Sequence, residues 1–374
     1  MTLRLRRNSR SASLSRFASF SLIMMFGIAA VCTARAEVSE ARGELISPNS
    51  IVANSVTGKI YAVDSKNGVV TVITAASDSV ATIKVGDAPV SIAINGATNT
   101  VYVANEGSGT VTVIDGATDS PKATIQVGAR PYSIATNAGT NKIYVSNTFS
   151  NQITIIDGAT NATSKIKAGS ADVIAADAKA NKIYLLGYEG TNLTVLDGAT
   201  NAMSKIQTGG HVWSLAIDEG AGKLYVTHVG NDSLQVIDIA TGGSTSIKTG
   251  AFPCAVALNP ATGKIYVVDN GSDNVTVIDS RKNTVIATLK VGVRPQALAI
   301  DAKADKIYVG NTHGSTVTVI DGKSNSVVET LAGGLHPYAL AVDAGTGKVY
   351  AKDFGDPNAT ETSARLGLDL KPAK

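Results

Sequence analysis

From residue 47 to about residue 353 the chain alternates short apolar runs with clusters of Asn, Asp, Gly and Ser, and the alternation keeps register. A tyrosine preceded by Ile, Val or Leu recurs at Tyr61, Tyr102, Tyr144, Tyr184, Tyr225, Tyr266, Tyr308 and Tyr350, a spacing of 40 to 42 residues. Thirteen residues before each stands Pro48, Pro89, Pro131, Ala171, Val212, Pro253, Pro295 or Pro337, opening an apolar run such as Ser-Ile-Ala or Ala-Leu-Ala. Thirteen residues after the first seven comes Thr74, Asp115, Asp157, Asp197, Asp238, Asp279 or Asp321, closing a Thr-Val-Ile-Asp-like run. Both intervals are constant, so the 14 to 16 residues that lead to the next proline position take up all the length variation.

Each unit predicts four strands: Pro-x-x-Ile-Ala, Lys-Ile-Tyr-Val, Val-Thr-Val-Ile-Asp and Ala-Thr-Ile-x-Val-Gly. Short β-branched runs bounded by turn residues mark strands rather than helices. Four antiparallel strands at a period near 41 match a propeller blade. One blade cannot bury both of its faces, so blades must stack, and closing the ring hides the two ends of the stack. The predicted fold is therefore all-β, a single closed β-propeller over 37–374 with eight blades. Seven blades, with the terminal strands as an appendage, is the alternative. The eighth unit offers strands at 338–342 and 348–351 and a third at 365–370, but no fourth. Residues 41–46 are strand-like and precede the first unit, so the N-terminal strand is expected to complete the last blade.

Residues 1–36 read as a secretory signal peptide: Arg4, Arg6, Arg7, Arg10 and Arg16, then an apolar run from Phe17 to Val31, then Ala-Arg-Ala at 34–36. That run is shorter than the roughly 20 residues of a spanning helix, so no stable membrane span is expected after cleavage. The leader holds six of the 33 basic residues and no acid. The chain from Glu37 thus has 27 basic against 30 acidic residues, a net charge of −3, which speaks against a nucleic-acid partner. It also retains a single cysteine, Cys254, so no internal disulfide forms. The localisation read from these features is periplasmic, secreted or cell-surface.

At and after the repeated tyrosine the chain reads Tyr102-Val-Ala-Asn105, Tyr144-Val-Ser-Asn147 and Tyr308-Val-Gly-Asn311, with Tyr225-Val-Thr-His228 a near variant. This resembles the YVTN-repeat β-propeller family of surface-layer and periplasmic proteins, over residues 47 to about 353. The resemblance implies the ring fold and a binding or envelope role. Similar rings occur in lactonases and in redox proteins that hold haem or copper. The final Asn is replaced at Asp64, Gly187, His228, Asp269 and Asp353, which suggests a position adjusted blade by blade.

In an up-and-down blade the start of strand one, the end of strand two and the loop that follows lie on one face. The residues before the proline position are Ser47, Ala88, Arg130, Ser170, His211, Phe252, Arg294 and His336. Those after it are Asn49, Val90, Tyr132, Asp172, Trp213, Cys254, Gln296 and Tyr338. All four histidines and the only tryptophan belong to this face. The candidate ligand-binding residues are Arg130, Tyr132, His211, Trp213, His228, Arg294, His313, His336 and Tyr338: planar donors and aromatic rings suited to a small anionic or ring-bearing ligand. An envelope protein is the other partner class this face could take. No catalytic or metal-ligating residue and no cofactor is assigned. His211 and His228 share a blade and with Asp269 would make the best metal set, but histidines from different blades do not obviously converge. No Cys-x-x-Cys-His is present, so covalent c-type haem is excluded. The repeated aspartates open turns and read as caps of backbone N–H groups. The leading reading is a non-catalytic propeller scaffold binding a ligand or partner at the channel mouth. A lactonase- or lyase-type enzyme using rim histidines and a structural surface-layer protein are the alternatives. Protein recovered from its native compartment is expected to begin at Glu37 by intact mass; a chain still carrying 1–36 would remove the export reading.

Overall fold

The computed structural model describes residues 49–169, 171–187 and 190–353 and the backbone of 366–367. The proposed leader and the strand-like segment 41–46 lie outside the described residues. Within them there is no helix, and the strands form seven four-stranded antiparallel sheets, spanning 51–84, 89–126, 131–167, 173–207, 212–248, 253–290 and 295–332. An eighth sheet contains Pro337–Val342, Val349–Asp353 and Leu366–Gly367, the last paired antiparallel with strand two through Lys352 and Ala351. In every sheet the strand order follows the chain. Each first strand touches the first strands of the sheets before and after it, and that of sheet eight touches that of sheet one. Fourth strands such as Ser79–Lys84 are largely exposed edges. The chain is therefore a β-propeller whose first strands line the axis.

The strands begin and end where the repeat places them. Pro89, Pro131, Pro253, Pro295 and Pro337 open first strands, where a residue without an N–H costs no ladder bond. Where Ala171 replaces the proline, the strand starts two residues later, at Val173. Seven of the eight repeated tyrosines are fully buried, and Tyr308 nearly so. They belong to cores that straddle neighbouring sheets: Tyr102, Val111 and Val113 of sheet two pack with Ile134, Ile143 and Ile156 of sheet three. Burying each such side chain contributes roughly 1.5–3 kcal/mol, and it does so only when a neighbour is present.

The joints between sheets obey a rule that ties three positions together. The last residue of strand one is Asn54, Asn95, Asn137 or Asn259 in four sheets, and its Nδ2 donates to Oδ1 of Asn99, Asn141, Asn181 or Asp305 in the next sheet at 2.8–2.9 Å. In three other sheets this residue is Asp177, Asp218 or Asp301, and in sheet eight Asp343, just after the strand, takes the same place; none has an amide to donate, and the matching position in the next sheet is Gly222, Gly263, Gly347 or Gly58. All eight of these receiving residues have φ between +47° and +73°, the region that favours Asn, Asp and Gly. The third position follows the close of strand three. A Cβ at Gly116, Gly158, Gly198 or Gly322 would stand 2.2–2.4 Å from the carboxamide or carboxylate oxygen of Asn99, Asn141, Asn181 or Asp305. Where the receiver is itself glycine, at Gly58, Gly222 and Gly263, the third position carries a side chain: Ala75, Ile239 and Ser280.

The same joints carry lysine ties. Lys59 Nζ reaches Asp119 of the next sheet at 2.7 Å, and Lys142 and Lys223 reach the carbonyls of Gly198 and Ser280. Lys348 of sheet eight makes the equivalent contact with Asp78 of sheet one at 2.6 Å, so the device that joins neighbours also joins the last sheet to the first. Gly158→Ala is expected to destabilise the protein by about 1–3 kcal/mol in denaturant unfolding, because its methyl enters the volume of the Asn141 amide. Adding Asn141→Gly, which recreates the pairing of the first, fifth and sixth sheets, should recover part of that loss; a harmless Gly158→Ala would refute the rule.

Candidate functional site

The face predicted to bind is built by a hand-off between sheets. The residue after strand two donates its N–H to the carbonyl of the residue that leads into strand one of its own sheet: Glu106 to Ala88, Thr148 to Arg130, Val229 to His211, Asn270 to Phe252 and Thr312 to Arg294. The same residue then receives a side chain from the next sheet. Arg130 pairs with Glu106 through both Nε and Nη2, Arg294 Nη1 donates to Asn270 Oδ1 at 3.1 Å, and His336 Nδ1 lies 2.8 Å from the Thr312 carbonyl.

The lead-in residues are held in an unusual backbone state. Ala88, Arg130, Phe252, Arg294 and His336 all have φ between +47° and +61°. A side chain in this region costs on the order of 1–3 kcal/mol, which glycine would avoid. Hydrogen bonds hold it in place: beside the hand-off bonds, Asp232 accepts the Phe252 N–H and Asp273 the Arg294 N–H.

Between sheets five and eight these side chains form a continuous arc. The Trp213 and Phe252 rings meet edge to face at 5.5 Å, Asn270 bonds both the Phe252 backbone and Arg294, and the His313 and His336 rings stand 6.1 Å apart at 87°. Phe252 and Trp213 are half-buried, whereas Arg294 and His313 are exposed. Burial, His336 and Arg294 together hold the His313 pKa below its usual value, burial most strongly. Arg294 makes no ion pair among the described residues. The arc thus has an apolar aromatic end and a cationic end.

No family model matches the chain. No curated protein matches it in sequence. By fold it is similar to a solved structure described as dihydro-heme d1 dehydrogenase NirN in complex with DHE, with a TM-score of 0.69 and 14% sequence identity, over 88% of this chain and 77% of that one. At that identity the likeness is one of fold alone.

The other candidates are placed elsewhere. Arg130 lies in sheet three, neutralised by Glu106 and capped by the exposed Phe149 ring at 4.6 Å. Tyr132 and Tyr338 are buried, with Lys352 Nζ 5.2 Å from the Tyr338 ring centre. His211 is exposed at the start of sheet five, and His228 is buried. His228 occupies the fourth position of the Tyr-Val-x-Asn segment, whose Asn has a structural task. Asn147 and Asn311 accept the N–H of Gly128 and Gly292 and donate to Thr154 and Thr318 seven residues on. In sheet five both partners change: His228 Nε2 meets Gln235 Oε1 at 3.0 Å, and burial lowers the His228 pKa, which favours neutral imidazole. At His228 and Asp269 the replacement therefore alters an internal tie, not an open rim. The spacing of Asn and Thr at i and i+7 was the signal for it.

No group of three or more His, Cys, Asp or Glu residues is placed to hold a metal among the described residues, and His211, His228 and Asp269 do not form one. Burial pushes the Cys254 thiol up to about 12, with Asp269 adding to it, so this cysteine packs rather than attacks. The six repeated aspartates do cap their turns; Asp157, for example, accepts the N–H groups of Ala159 and Thr160, which holds its pKa below the usual range. A cavity of about 730 Å3 opens at the opposite end, at the Asp218 and Gly263 joint, but Asp218 and Glu219 there are occupied with the Ala221 and Ala178 N–H groups.

Asp269 stands where other sheets have Asn, accepts from Thr276 Oγ1 at 2.6 Å, and is raised to about 6 by burial. A carboxyl raised in the folded state stabilises the protein below its unfolded pKa, and that stability is lost as pH rises through about 6. Asp269→Asn is therefore expected to raise stability by roughly 1–3 kcal/mol at pH near 8 and by little at pH near 3, below the unfolded carboxyl pKa, measured by urea unfolding. An equal effect at both pH values would show that the carboxylate is not strained.

Proposed function

We propose that the chain is an exported, eight-bladed propeller of the YVTN-repeat type whose eighth blade is completed by residues 41–46, and that it binds a small anionic, ring-bearing ligand across the arc from Trp213 to His336. The observation that carries the binding reading is the pairing of an aromatic corner, Trp213 with Phe252, and an Arg294 guanidinium that lacks an acidic partner among the described residues. A flat ring gains from edge and face contacts at the first, and a carboxylate or phosphate from charge-assisted bonds at the second. The similar fold described as dihydro-heme d1 dehydrogenase NirN in complex with DHE supports a ring-bearing ligand as the class to try first. A rim-histidine enzyme has less support, because the two histidines of sheet five are divided between an exposed and a buried position.

Trp213 is the only tryptophan, so its fluorescence reports on this arc alone. Hemin, which carries carboxylates, is expected to quench it saturably, and Arg294→Ala to weaken that binding by about tenfold or more, the cost of one charge-assisted hydrogen bond. A porphyrin without acidic groups should bind more weakly than hemin. Linear, unsaturated quenching by hemin, unchanged in Arg294→Ala, would overturn the reading.

A further inference from the structure

Thr312 sits at the centre of the cationic end. Its N–H donates to the Arg294 carbonyl at 3.1 Å, its Oγ1 to the Pro337 carbonyl at 2.9 Å, and its own carbonyl lies 2.8 Å from His336 Nδ1. One residue thereby fixes the lead-in segments of sheets seven and eight and carries His313 as its chain neighbour. A carbonyl oxygen only accepts, so Nδ1 of His336 bears the hydrogen, and Nε2 is the atom left to gain a proton or meet a ligand.

Among the described residues none of Arg294, His313 and His336 makes an ion pair. Asp273 of sheet six is turned to the Arg294 backbone N–H and lies 3.5 Å from Lys290. Asp353 of sheet eight is buried and accepts the Leu335 N–H. Asp269, the last residue of strand two of sheet six, is buried, as are Lys352 and Tyr338 of sheet eight, the Lys352 ammonium 5.2 Å from the Tyr338 ring centre. Three groups able to carry positive charge therefore lie together from two sheets, the His313 and His336 rings 6.1 Å apart, and burial, His336 and Arg294 disfavour charge on His313.

We propose that Arg294, His313 and His336 form an oxyanion site for a dianionic group, a phosphate or a pair of carboxylates, and that filling it draws protons onto the imidazoles, so that binding tightens as pH falls. The proposal rests on the ligand reading above and specifies its anionic end. By linkage, each proton taken up strengthens binding by up to about tenfold per pH unit across the imidazole titration, and the anion raises proton affinity in turn.

The test uses ring-free probes, so that it stands apart from the tryptophan experiment. The chain has four histidines, and 15N-histidine spectra can be assigned with single His→Asn variants. Inorganic pyrophosphate, compared with sodium chloride at equal ionic strength, is expected to shift the His313 and His336 signals but not that of buried His228. It should also raise the pH at which His313 titrates by about one pH unit. Arg294→Gln should remove the effect, while Arg281→Gln on the opposite face leaves it intact. Succinate in place of pyrophosphate separates the two sources: the stronger response names phosphate or carboxylate as the class. No shift at His313 and His336 with either anion, or an equal shift in Arg294→Gln, would overturn the proposal. Histidine shifts without saturable hemin quenching would remove the ring-bearing reading and leave this site standing; quenching without shifts would do the reverse.

Discussion

At each of the seven joints whose three positions are described, one small volume is shared by three residues, and only two occupancies are seen. Either an amide or carboxylate side chain of the receiving residue accepts from the asparagine of the preceding sheet and faces a glycine, or the receiver is a glycine and the third position is free to carry a side chain. Hydrogen-bond chemistry sets the choice: asparagine can cap its own turn through Oδ1 and donate through Nδ2, whereas aspartate can only cap, as Asp218 does for Ala221. Close packing enforces it, because interiors tolerate neither a hole nor a 2.4 Å contact. The pairing of Asp343 with Gly58 obeys the same rule, so the ring closes by the interaction that builds it.

A scaffold held from within leaves the face free to vary. Arg130 and Arg294 illustrate this, since they occupy the same position with the same backbone state. Arg130 meets Glu106 and is neutralised, and Arg294 meets Asn270 and keeps its charge. A single change in the residue after strand two of the preceding sheet thus decides which part of the rim can attract an anion. The aromatic end arises likewise from two neighbouring lead-in segments, Trp213 in one and Phe252 in the next. Neither residue alone predicts a corner; adjacency round the ring makes it.

Substitutions in the repeat need not be functional. His228 and Asp269 both depart from the recurrent asparagine, and both look like candidates for chemistry in a linear reading. Their surroundings differ from that expectation: His228 exchanges its partner along with itself, Thr for Gln235, and Asp269 keeps the threonine contact while losing the amide. The first changes both partners of one internal bond, and the second buries a carboxyl whose pKa burial raises to about 6.

The sequence alone determined the strands, their order within a sheet, the buried tyrosines and the capping aspartates, because those depend on neighbours a few residues apart and recur in every unit. It also identified the face that gathers Arg294, His313, His336 and Trp213, since the end of a strand follows from counting. It did not reveal that Asn54 answers to Asn99 and Gly116, that Glu106 silences Arg130, or that Thr312 joins Arg294 to His336. Apart from the Thr312–Arg294 bond, those contacts cross from one sheet to the next, and their chemistry depends on which side chains the ring brings within hydrogen-bonding distance. Tertiary structure therefore decided which arginine is paired with a carboxylate and which histidines are buried.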